Sequence, residues 1–266
     1  MRMSWFAAYL AAGAFIGFLA GLLGIGGGMT LVPVLAALFS AQHFAPDHIV
    51  HLSLATAMAS VVFTSTASVR EHYKLGAVDF SIFKRMVPGL VAGTLFSTVA
   101  AGWIAQRHLA LSFALIVFGG ATQMILNRKP KPGRTLPGAV PLFIFSATVG
   151  VISGLVSAGG AFLTMPFMIM CGVPMRTAIG TGAAMGIPIA VIGTLGYVIS
   201  GWSVPGLPPW SAGFVNLIAL TGLVITSVIV APFGARAAHR LPVLTLKRIF
   251  AGCLYLLAAK MLLTYW

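Results

Sequence analysis

The side chains of this 266-residue chain that could do chemistry are few, and most are hydroxyls rather than charges. Asp47, Glu71 and Asp79 are the only carboxylates, and all three read as loop-edge residues. That leaves no carboxylate dyad for acid–base catalysis and no carboxylate relay for protons inside apolar sequence. Cys171 and Cys253 lie far apart without metal-ligand spacing and read as core thiols. His48 and His51 sit one helical turn apart, and His72 follows Glu71. Solvated histidines at a membrane interface are the plain reading, but His51 points deepest and is a candidate for binding a proton or an anion. Arg176 opens a helix, as an interfacial cation or a substrate contact, and Lys260 reads as a cation that snorkels. The chain contains no Walker A, H-E-x-x-H, G-x-S-x-G or C-x-x-C pattern, so no nucleotide, metal or other cofactor is expected.

Bare backbone is the other resource. Gly17, Gly21, Gly26, Gly27 and Pro33 recur as Gly150, Gly154, Gly159, Gly160 and Pro166, each at the same offset. Glycine and proline are costly inside a membrane helix unless the freed backbone groups find partners, so a duplicated break marks an internal repeat. Gly17, Gly21, Gly150 and Gly154, spaced by four, suit close helix packing. The clusters Gly26-Gly27-Gly28 and Gly159-Gly160 instead open half-helices, whose N–H groups and dipole make an anion site without a charged side chain. Thr30 and Thr164 fall in the first turns of those half-helices. Ser53 and Thr56 in the first half, and Thr177, Gly180 and Thr181 in the second, begin the helices that follow. Their hydroxyls either donate to a bound oxyanion or bond back to the preceding turn of their own helix. Thr64, Ser65, Thr66 and Ser68, with Thr194 and Tyr197 opposite, are polar enough to line a cavity or to join helices.

Positioning these groups falls to membrane helices. Hydrophobic residues make up 59% and charged residues 7% of the chain, against roughly 25% charged in a soluble domain. The net charge of +13 is scattered in short clusters between apolar runs, unlike a nucleic-acid-binding face. The N-terminal apolar stretch carries the glycine break instead of a cleavage site and reads as a retained membrane segment. Apolar segments fall at 4–23, 29–40, 49–69, 86–105, 109–126, 139–157, 161–171, 177–200, 211–233 and 247–264. Two of them, 29–40 and 161–171, are too short to span ~30 Å of hydrocarbon. Together with their predecessors they are expected to form hairpins that return to the side they entered from. Ala57-Met58 aligns with Ala184-Met185, Gly89-Leu-Val with Gly222-Leu-Val, and Phe113 to Leu126 with Phe250 to Leu263.

Charge decides the topology. With single crossings at the breaks, basic residues divide almost evenly between the two sides. With hairpins, the loops at 70–85, 127–138, 172–176 and 234–248 gather on one side, leaving only Arg2, Arg107 and Lys260 elsewhere. The positive-inside bias selects the hairpins. The chain therefore reads as an all-α polytopic membrane protein, an inverted repeat of two five-segment halves, 1–126 and 139–266. A basic cytoplasmic linker, 127–138, joins them, and both termini lie outside.

The Gly21-Leu-Leu-Gly-Ile-Gly-Gly-Gly stretch through Pro33 and its second copy through Pro166 resemble the TauE/SafE sulfite exporter family. So do Gly76-Ala-Val-Asp79 after a hydroxyl-rich helix and Gly234-Ala-Arg236 before the last helix. The resemblance covers nearly the whole chain. It implies a plasma-membrane transporter, not an enzyme, that exports sulfite, sulfoacetate or other organosulfonates. An importer or channel for thiosulfate or sulfate, or a membrane-embedded sulfur-handling enzyme, is the alternative. The expected substrate-binding residues are Gly26, Gly27, Gly28, Thr30, Ser53, Thr56, Gly159, Gly160, Thr164, Gly180 and Thr181. His51 and Arg176 are candidates for proton or anion coupling. The expected partners are a small anion, the lipid bilayer and optionally protons, with no ATP and no nucleic acid. Two departures from the pattern stand out: Ser157 and Ala161 replace the glycines at 24 and 28, and the loop 201–212 lacks the Gly-Ala-Val-Asp form.

Overall fold

A computed structural model describes residues 2–23, 27–126, 135–238 and 243–265. Gly26 and most of the basic linker lie outside them. Among the described residues, ten α-helices occupy the ten apolar segments. They are α1 (Arg2–Leu23), α2 (Gly28–Ala41), α3 (Ile49–Lys74), α4 (Phe80–Ala101), α5 (Gln106–Leu126), α6 (Ala139–Val156), α7 (Ala161–Met170), α8 (Met175–Gly201), α9 (Leu217–Ala238) and α10 (Val243–Tyr265). Among the described residues, three apolar helical stretches, Pro46–Lys74, Ala139–Val156 and Met175–Gly201, are long enough to cross a bilayer individually. The half-helices α2 and α7 are not.

Two boundaries differ from expectation for local reasons. α4 starts six residues early because Asp79 caps it, its carboxylate accepting from the N–H of Ser81 (2.8 Å) and Ile82 (3.1 Å). The segment expected as helix from 211 opens instead as a short antiparallel hairpin, β1 (Ser211–Ala212) and β2 (Val215–Asn216), and turns helical at Leu217.

α3 is the axis of the molecule. Its run from Leu52 to Met58 is fully buried, and α3 packs against α2, α8 and α9. Around it, α1 lies on α9, α4 on α6 and on α8, α5 on α10, and α7 on α8. The two tightest seams are built from glycine. A Cβ on Gly17 would come 2.5 Å from Ser227 Cα, and one on Gly89 would come 2.5 Å from Phe143 O. Gly13, Gly93, Gly150 and Gly154 are equally hemmed in. Without side chains in the way the backbones close up, which is how helices gain contact where lipid supplies no hydrophobic drive. Hydroxyls add bonds across the same seams: Thr226 Oγ1 donates to Leu10 O (2.7 Å) and Thr94 Oγ1 to Gly150 O (3.2 Å). Gly17, Gly150 and Gly154 thus have the packing role their spacing suggested.

The periphery is apolar. Phe15, Phe96, Leu115, Val140, Ile199, Leu256 and Leu263 are all exposed, an arrangement suited to lipid and not to water.

Candidate functional site

The two helix breaks are solved differently and meet in the interior. At the first, Gly27 takes a left-handed conformation (φ 68°) and serves as N-cap of α2, a backbone state that favours glycine. At the second, the left-handed residue is Ser157 (φ 52°), which ends α6, while Gly160 caps α7 with ordinary right-handed geometry. Ser157 meets that backbone demand with help from across the molecule: its hydroxyl donates to Leu54 O on α3 (2.7 Å). Gly28 lies directly against the Ser157 carbonyl, in a space that no Cβ could enter, and close to Val61. The breaks are therefore in van der Waals contact, with α3 alongside.

Several predicted hydroxyls are committed locally. Thr30 donates to Gly27 O (2.7 Å), Thr164 to Gly160 O (2.8 Å) and Ser53 to Ile49 O (2.7 Å), each one turn back along the chain. Thr56 and Thr181 differ. Both are fully buried, and each accepts a backbone N–H, from Asn216 (3.0 Å) and Asp79 (2.9 Å) respectively. Neither donates to a protein acceptor among the described residues, so each keeps an O–H to give to a ligand's oxygen. Gly182, next to Thr181, packs against Ala161 Cα at the start of α7. Ser157 is tied to Leu54, two residues before Thr56. The second break thus touches the helical turns that carry both threonines.

The partners of these threonines uncover a feature that linear alignment missed. Gly76-Ala-Val-Asp79 has a spatial counterpart in Gly213-Phe-Val-Asn216. Each opens on a left-handed glycine (φ 63° and 53°), and each closes on a side chain that caps the next helix, Asn216 Oδ1 accepting from Ala219 N (2.9 Å). The element absent from 201–212 is therefore present immediately after it. Thr56 and Thr181 hold equivalent places in these contacts, two residues out of step with the expected alignment of Ala57-Met58 on Ala184-Met185. The signal that could have found it is the final Asx side chain before each helix.

Gly180, His51 and Arg176 all sit beside these loops. Gly180 is pressed against the Ala77 carbonyl, where only glycine leaves room for the loop. The Arg176 guanidinium is exposed and donates to Leu75 O (3.2 Å). His51 is buried; its Nε2 lies 3.0 Å from Ala101 O and 3.1 Å from Ile104 O, and its ring stacks on Phe214 at 4.9 Å. Its Nδ1 has no partner among the described residues. His51 and Arg176 thus anchor the two loops, while Gly28 and Ser157 form the meeting point of the breaks; Gly160 faces Ile189 on α8 and Gly27 faces Ile16 and Ala20 on α1.

The family described as "Sulfite exporter TauE/SafE" matches residues 9–261. A "Probable membrane transporter protein" of Haemophilus influenzae is 33% identical to the chain over 96% of it and 97% of that protein. The "Probable membrane transporter protein YdhB" of Bacillus subtilis is 28% identical over 87% of the chain and 90% of its own length. No solved structure matches the chain.

Proposed function

The chain belongs to the sulfite exporter TauE/SafE family and is a multi-pass membrane transporter; from that premise we propose that it exports a small sulfur-containing oxyanion, sulfite or an organosulfonate, by alternating access. The observation that carries this reading is the matched pair of buried hydroxyls, Thr56 and Thr181, each with a hydrogen to donate, beside two converging helix breaks. A sulfonate head presents three acceptor oxygens, and the start of α2 or α7 adds the positive end of a helix dipole. A membrane potential negative inside favours the outward movement of an anion by ~2.3 kcal/mol per charge per 100 mV, so proton coupling is optional.

The two halves, 1–126 and 139–266, are read as an inverted repeat with the linker 127–138 between them. The packing supports it: exchanging α1–α5 for α6–α10 turns α1·α9 into α6·α4 and α3·α9 into α8·α4, while α3·α8 and α5·α10 map onto themselves. In this arrangement Gly76–Asp79 closes the inner mouth and Gly213–Asn216 the outer one. With both threonine bonds made, the conformation is the occluded intermediate, and opening one mouth requires breaking one bond. Orientation follows the basic loops, placing both termini outside the plasma membrane. Trp103, Trp202 and Trp210, all exposed, then share the outer interface.

Purified protein in liposomes should show saturable counterflow of sulfite or sulfoacetate under an imposed potential. No flux for any sulfonate, sulfite or thiosulfate would overturn the reading. Flux without counterflow would mean a channel.

A further inference from the structure

Lys260 lies within α10, away from the basic loops, and transport at the breaks has no use for it. It lies on α10 five residues before the end of that helix, at the rim of a groove of about 300 Å³ between α2 and α10. The groove is graded in polarity. Pro33, Ala36, Ala37 and Met261 give it an apolar floor, while Ser40, near the end of α2, and Lys260 supply polar groups. Two adjacent alanines keep it open. No acceptor for the Lys260 ammonium occurs among the described residues.

In the corresponding seam on the other side of the molecule, between α7 and α5, the Phe162 ring sits on Gly120. There Gln123 stands at the position aligned with Lys260. The charge thus occurs on one side only, and the fold does not require it.

The geometry points to a phospholipid site, with the phosphate on Lys260 and Ser40 and one acyl chain lying along Ala36, Ala37 and Pro33. A lysine about one and a half turns below a helix end reaches the headgroup level with its four-carbon stem. A negative phosphate supplies the acceptor that the protein withholds, and an alkyl chain suits the floor. The inference needs only a chain embedded in a bilayer and is independent of the transported anion.

Native mass spectrometry of the full chain, released from mild detergent after incubation with phosphatidylglycerol, tests it. The unmodified protein should retain one phospholipid against detergent exchange. Lys260→Gln should lower the retained fraction about fivefold, the worth of one basic residue near a lipid phosphate. Lys260→Arg should keep it, Ala37→Phe should abolish it with the charge intact, and added inorganic phosphate should not displace the lipid. Equal retention by the unmodified, Gln and Phe forms would overturn the proposal, since the lipid would then be annular. A lipid-free dimer that Ala37→Phe splits would also overturn it, by assigning the groove to a second copy.

Discussion

In the proposed mechanism Thr56 and Thr181 combine structural and functional demands in single oxygens. Replacing Thr181 with valine keeps the shape but orphans the part-buried Asp79 N–H, a loss of about 1 kcal/mol. Flux should fall sharply for Thr181→Val and recover largely in Thr181→Ser, as measured by anion efflux from liposomes; a valine variant with unimpaired flux would return the hydroxyl to a purely structural role. Thr56→Val should behave alike through Asn216. Gly28→Ala forces a methyl group into the Ser157 carbonyl and should cost more than about 2 kcal/mol in thermal unfolding, with flux lost. Sequence alone could name Thr56 and Thr181, because hydroxyls at the start of a membrane helix are few. It could not separate them from Ser53, Thr30 and Thr164, since back-bonding and cross-molecule bonding leave the same residue types in the same places. Ser157 escaped for a related reason. The glycine pattern pointed to 159–160, but the left-handed residue of the second break is Ser157, braced by its hydroxyl on α3.

Helices were the most legible level, because a membrane segment is written in composition over some twenty residues. All ten emerged where the apolar runs lie, whereas the start of α4 and the β1–β2 hairpin did not follow from hydropathy. Both depend on one capping side chain, Asp79 or Asn216, overriding the surrounding pattern. The two caps make a substitution test natural. Asp79→Asn reproduces the chemistry of the other loop and should cost well under 1 kcal/mol, while Asp79→Ala removes the cap and should cost about 1 kcal/mol or more. Thermal unfolding in detergent checks the order; equal losses for Asn and Ala would mean that the cap is not what fixes the loop.

At the scale of the molecule, charge and packing support the same topology from unrelated directions. Single cysteines introduced beside Trp103 and beside Trp210 should react with a membrane-impermeant thiol reagent in intact cells, and one at Gly76 should react only after permeabilisation. Labelling at Gly76 in intact cells would invert the orientation. The packing scheme carries a further consequence, in the time the chain takes to be made. α1 buries its glycine face against α9, and about 190 residues separate Leu23 from Leu217. At ~5–20 residues per second, about 10–40 s of synthesis elapse before that partner exists. Through that interval Gly13 and Gly17 face lipid or a chaperone, so the helix that is made first is among the last to be secured.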